Sequence, residues 1–185
     1  MGVKTFTSEI LTSSDTNTYL ANSGLVYVSS TTIGSAVASV TVSNCFSTTY
    51  DDYFVTIDGV LGTAGAAMNF RCVTSGGADN GSNWKGNSFY ISTGAAGALT
   101  NSNDTAAASG FCGGIDTNAA SLTFNVQGPF ATRRTQLNYG NADNSYWRIG
   151  NYYLGDAASY VSMKLLPNAG TITGGVITVY GYRKA

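Results

Sequence analysis

Short stretches in which apolar and polar residues alternate recur along most of the chain. Val40 and Val42 alternate with Ser39, Thr41 and Ser43. Tyr53, Val55 and Ile57 alternate with Phe54, Thr56 and Asp58, and Leu122, Phe124 and Val126 with Ser121, Thr123 and Asn125. Near the end, Ile177 and Val179 alternate with Thr178 and Tyr180. A period of two places one set of side chains in a core and the other on an outer face, so these stretches predict half-buried strands. Gly, Asn, Asp and Ser separate them, as turns require. The predicted strands are 25–33, 38–43, 53–60, 66–74, 87–92, 121–126, 132–139, 146–153, 160–166 and 176–182. About ten short strands with loops of roughly five to ten residues predict an all-β, jelly-roll-like antiparallel β-sandwich.

Three regions depart from that pattern. Residues 12–22 open on cap-type residues and close on Asn22-Ser23-Gly24, which predicts a short helix capped by Ser13 or Ser14. Such a helix is marginal alone and must dock on something. The chain therefore divides into an N-terminal arm, 1–23, and a β-sandwich domain, 24–185. Residues 75–83 are predicted as a hairpin tip with a type I′ turn at Asn80-Gly81. Residues 93–109 are rich in Gly, Ala, Asn and Thr and are predicted as a long loop or an extended surface segment.

Composition sharpens this picture. Of 185 residues only 10% are charged and 43% are hydrophobic, and no His is present. An ordinary domain carries roughly 25% charge, so the surface here is built from neutral polar residues. Without His there is no Ser-His-Asp triad, no imidazole base and no His metal ligand. A net charge of −1 leaves no electrostatic footprint for nucleic acid. No apolar run approaches the ~20 residues of a membrane-spanning helix, and the N-terminus lacks a signal-peptide centre. The sequons at Asn80 and Asn103 are accordingly read as chance. Cys45, Cys72 and Cys112 match no metal-ligand spacing, and an odd count excludes a complete disulfide framework. Buried free thiols are expected. Neutral faces rich in Tyr also suit burial between chains.

Candidate chemistry is sparse. Asp51-Asp52 precedes a strand and reads as a turn cap, because adjacent carboxylates on an extended chain diverge. Asp58 and Asp116 are isolated, and nothing in their spacing selects the carboxylate pair of a glycosidase. No nucleophile elbow, phosphate loop or metal cluster is present, so no catalytic, cofactor or metal residue is assigned. Arg133 and Arg134 form a basic doublet that suits either an inter-subunit ion pair or a solvated and a Tyr-stacked arginine. Trp84, Tyr146, Trp147 and Tyr152 are candidates for stacking on a glycan or for an interface, because rings cover pyranose faces and neighbouring amides bond hydroxyls.

Residues 6–20, from Phe6 through Ser8-Glu9-Ile10-Leu11 to Asn17-Thr18-Tyr19-Leu20, resemble the opening of many small virion proteins of tailed bacteriophages, especially phages of aquatic bacteria. Ser8-Glu9 stands where those proteins usually have Gly-Glu. Residues 21–28, Tyr50-Asp51-Asp52-Tyr53 and 174–182 are similar too. The resemblance implies a non-enzymatic, trimeric virion protein, made in the host cytoplasm. It would sit on the capsid as a decoration, cement or head-fibre protein, or on the tail. Its partners would be further copies of itself and a major capsid or tail- or portal-associated protein. Phe6, Ile10, Leu11, Tyr19 and Leu20 would anchor it. The alternative is a tail-fibre module that binds carbohydrate or a host receptor. A glycan-degrading enzyme using two Asp residues ranks last.

Overall fold

A computed structural model describes residues 24–92, 94, 99–143 and 146–184. The predicted helical arm and its anchoring residues Phe6, Ile10, Leu11, Tyr19 and Leu20 lie outside the described residues. Among the described residues thirteen strands follow in order: β1 (Leu25–Thr32), β2 (Val40–Val42), β3 (Asp52–Gly62), β4 (Ala66–Val73), β5 (Trp84–Ser92), β6 (Leu99–Ala107), β7 (Gly110–Ile115), β8 (Ala120–Gln127), β9 (Gln136–Ala142), β10 (Tyr146–Leu154), β11 (Ser162–Pro167), β12 (Ile172–Thr173) and β13 (Val176–Tyr182). No helix occurs among the described residues.

Every strand pairing is antiparallel. One sheet has nine strands in the order β1-β13-β3-β8-β9-β10-β5-β6, with β12 joined to β3. The other has four, β2-β11-β4-β7. The predicted alternation explains how they pack. Tyr53, Val55, Ile57, Leu122, Phe124 and Val126 are buried on the inner face of the large sheet. Met68, Phe70, Cys72, Met163 and Leu165 are buried opposite them on the small one. Phe70 stands edge-on to Trp84 at 5.6 Å and to Phe124 at 5.9 Å, joining the two sheets. All three cysteines are free and buried here, and burial pushes the Cys45 thiol up to about 12.

The large sheet is wider because two strand pairs extend it beyond β8. Of these additions, β9 and β10 pack against β7, the last strand of the small sheet, and β5-β6 reach beyond it. Two glycines permit the close packing there. A side chain at Gly150 would meet the Tyr139 hydroxyl at 2.5 Å, and one at Gly86 would meet the Tyr152 ring at 2.7 Å.

Each predicted strand has an observed counterpart, with five corrections, the smallest being the two-residue β12, which no predicted strand covers. The loop predicted over 93–109 contains β6, an edge strand whose residues 99–103 are all exposed, so no alternation marks it. Gly-rich β7 was not predicted either. Its glycines are required because the side chains of Leu122 and Asn141 crowd Gly113 and that of Asp143 crowds Gly114. The strand predicted over 132–139 begins only at Gln136, which leaves Arg133 and Arg134 in the preceding loop. Finally, the hairpin tip predicted over 75–83 is present as a short hairpin closed by the antiparallel Val73–Asp79 bridge, but it does not join β4 to β5, which belong to different sheets. The tight turn there places Gly77 at φ 81° and bonds the Thr74 N–H to the Ala78 carbonyl at 3.0 Å, so Asn80-Gly81 does not make it.

Candidate functional site

The four aromatic candidates separate between the core and the two sides of β10, for reasons that follow from strand geometry. Trp84 lies in the core at 0% exposure, so it offers no face for stacking, which corrects the sequence expectation. Trp147 lies on the outer face of the large sheet at 47% exposure. Tyr146 and Tyr152 flank it at odd spacing and therefore point to the inner face. The apparent cluster is two rows on opposite sides of β10.

The inner row lies where the large sheet overhangs β7. A groove of about 380 Å³ is bounded there by β5, β6 and β10 on one side and by β4 and β7 on the other. Arg148 lines it, with its guanidinium carbon 4.3 Å from the Tyr146 ring centroid, 5.2 Å from Phe111 and 5.4 Å from Tyr90. These are cation–π distances. Its Nε is 3.5 Å from the Asp143 carboxylate, an ion-pair separation too long for a hydrogen bond. Asp143 is itself fixed at the turn, where its other carboxylate oxygen accepts the Tyr146 N–H at 2.8 Å. Across the groove Tyr152 donates its phenol hydrogen to Asp104 at 2.6 Å. Burial pushes that phenol well above its ordinary range, and the bond to Asp104 adds to the effect. A second depression of about 400 Å³, bordered by Asp116 and Asn168, continues past Arg148 and shares Ala67, Tyr146 and Arg148 with the first.

The outer row belongs to a broad face. Residues directly opposite in antiparallel strands share a face. One such row crosses eight strands: Tyr27, Tyr180, Phe54, Asn125, Asn138, Asn151, Asn87 and Asn103. Five asparagines from distant parts of the chain thus stand side by side. Asn138 donates to Gln127 at 3.1 Å, and Asn125 accepts from the Tyr182 hydroxyl at 2.8 Å. The neighbouring rows carry Ile149 opposite Phe89, and Trp147 opposite Ile91.

The remaining candidates are engaged locally. Arg133 approaches Asp52 at 3.9 Å, and Arg134 lies 5.4 Å over the Tyr153 ring. Asp51 pairs with Lys184 at 2.9 Å, while Asp52 accepts the Gly128 N–H at 3.1 Å, so the two carboxylates diverge as expected. Asp58 accepts from Ser121 at 2.5 Å, and Asp116 accepts the Asn118 N–H at 2.6 Å. Among the described residues no group of three or more Cys, Asp or Glu is placed to hold a metal ion.

Sequence reasoning passed over Arg148, Asp104, Tyr90 and Phe111. Arg148 sits within the aromatic stretch singled out, and its alternation with Trp147 was the available signal. Nothing in the sequence tied Asp104 to Tyr152, because their strands are joined only through β5.

No protein-family model and no curated protein matches the chain. The crystal structure of SPBc2 prophage-derived protein YomS aligns with 84% of this chain and 92% of its own, at 12% identity and a TM-score of 0.27. A likeness that slight carries neither fold nor function.

Proposed function

We propose that the chain is a non-enzymatic structural protein of a bacteriophage virion. In this reading it is a homotrimer built on a jelly roll and attached through residues 1–23 to the capsid, as a decoration, cement or head-fibre protein, or to the tail. One observation carries the assembly part. All eight exposed large hydrophobic residues among those described, namely Leu25, Tyr27, Phe89, Leu99, Trp147, Ile149, Val176 and Tyr182, fall on the outer face of the large sheet. Apolar groups gathered on one face, among neutral amides, favour burial against another chain. The particle part rests on the sequence resemblance of the arm, the Tyr50–Tyr53 region and the C-terminal strand.

Four pairings support the jelly roll. β1 pairs with β13, β2 with β11, β3 with β8 and β4 with β7, as when one long hairpin is wrapped into two sheets. A protein of this kind acts by mass action, because binding only the assembled shell stabilises it. Light scattering tests the trimer: three chain masses of 19.2 kDa are expected, and a monomer overturns it. Deleting residues 1–23 is expected to leave a folded trimer that no longer joins particles, and normal incorporation would remove the anchor assignment.

A second reading, a carbohydrate-binding or host-receptor-binding tail-fibre module, is favoured by the groove around Arg148. Aromatic rings, a guanidinium and a carboxylate converge there as sugar hydroxyls require. A saccharide array tests it. The two readings are compatible, since a fibre both holds and adheres.

A further inference from the structure

We propose that the groove beneath the overhanging strands binds a neutral saccharide. One pyranose ring would lie against Tyr146 and Tyr90, with its hydroxyls shared between Arg148 and Asp104. The inference rests on the saccharide reading above and deepens it by naming the surface, the residues and the ligand class.

Size comes first. About 380 Å³ falls within the range of roughly 300–1,000 Å³ usual for small-ligand sites. The adjoining depression beyond Tyr146 and Arg148 gives room for a second ring, so an oligosaccharide can run past the guanidinium. Hydrogen-bonding capacity comes next. A guanidinium has five N–H donors in a fixed plane. Arg148 is held by three rings and an ion pair to Nε, and its Nη nitrogens make no hydrogen bond to the described residues. Its side chain is only 22% exposed and lines both the groove and the adjoining depression. Asp104 accepts one hydrogen bond, from Tyr152, and retains lone pairs for more. A sugar hydroxyl donates and accepts at once, so it can satisfy a guanidinium and a carboxylate together. Ser88, Ser102 and Asn69 add neutral partners around the same space.

Charge decides the ligand class. The groove holds one cation, Arg148, and one acid, Asp104, and the adjoining depression, which Arg148 also lines, adds Asp143 and Asp116, so the two together carry one positive and three negative groups. A phosphate, nucleotide or acidic sugar would meet net negative charge around a single arginine that already has a carboxylate beside it. A purely apolar ligand would strip water from these polar groups without replacing their hydrogen bonds. A neutral ring with hydroxyls on its edge and C–H groups on its face meets neither penalty.

The experiment uses the full chain on an array of neutral and acidic oligosaccharides, followed by calorimetric titration with the best binder. Arg148→Gln and Tyr146→Ala are expected to weaken a neutral ligand about tenfold or more. Because either change can disturb packing, Ser102→Trp is the independent variant: Ser102 is exposed on edge strand β6, and an indole there fills the groove from its rim. It is expected to abolish binding with an unchanged unfolding transition. Trp147→Ala, on the opposite face, is expected to leave affinity as it was. If Trp147→Ala abolishes binding while Ser102→Trp does not, the groove assignment falls and the saccharide reading survives on the outer face. Selective capture of acidic sugars overturns the neutral class. Absence of binding to every saccharide at millimolar concentration overturns both the inference and the reading beneath it.

Discussion

The two outer faces of this sandwich are made differently. On the small sheet, Arg71 from β4 and Lys164 from β11 both reach Asp79, at 3.4 and 2.9 Å. The Lys164 ammonium beside it, with Arg71, holds that carboxyl below its ordinary range despite some burial. On the large sheet, the row across the middle is three aromatic rings and five asparagines without a charge. A chain with so few charges has placed a charge cluster on one face and withheld it from the middle of the other. Charged groups resist burial in an interface core, whereas amides and rings accept it. The contrast thus separates a face suited to water from a face suited to another chain.

Four substitutions test the contrast between the two faces. The largest strikes the core common to both faces: Phe70→Ala is expected to cost about 3–5 kcal/mol. Chemical denaturation measures it, and a loss below about 1 kcal/mol would show that the sheets do not depend on each other. Next, Trp147→Glu with Ile149→Asp places charge on the large face. Each buried anchor in an interface is worth about 2 kcal/mol or more. Sedimentation is expected to show a dissociated but folded chain, and an intact trimer would put the interface elsewhere.

Smaller still is Asn138→Ala in the amide row, which removes the bond to Gln127. A cost of about 0.5–1.5 kcal/mol is expected. It should be read in the concentration dependence of assembly, and an effect confined to subunit unfolding would argue against an interface role for the row. The smallest is Asp79→Asn, expected to cost less than about 1 kcal/mol because the pair is partly exposed. Its pH sign is definite. A carboxyl whose folded value is lowered stabilises above its unfolded value, near 3.9, and loses that contribution as pH falls through the lowered value. Acid titration of the wild type should therefore show a loss below about pH 4 that the variant lacks.

Much of the fold was legible beforehand. Tyr53, Val55 and Ile57, or Leu122, Phe124 and Val126, announce their buried face by alternation alone. Besides the two-residue β12, which is too short to alternate, the unpredicted strands are those where alternation has no cause. β6 is exposed along most of its length, and β7 is glycine-rich because neighbours press on its backbone. The site was less legible. The stretch from Tyr146 to Tyr153 drew attention for its aromatics, but its alternation sends Trp147 outward and Tyr146, Arg148 and Tyr152 inward. Arg148 becomes interpretable only when Tyr90 and Phe111 arrive from other strands.

Local period and composition are enough to give the β-rich domain, the faces its strands bury and a surface nearly without charge. Which strands lie side by side is settled only when the two sheets close on one core. That choice aligned five asparagines from β5, β6, β8, β9 and β10 in one row. It also carried β5 and β6 past β7 to open the groove. Register between distant strands is a long-range property, set by how two inner faces fill one core, and no local pattern encodes it.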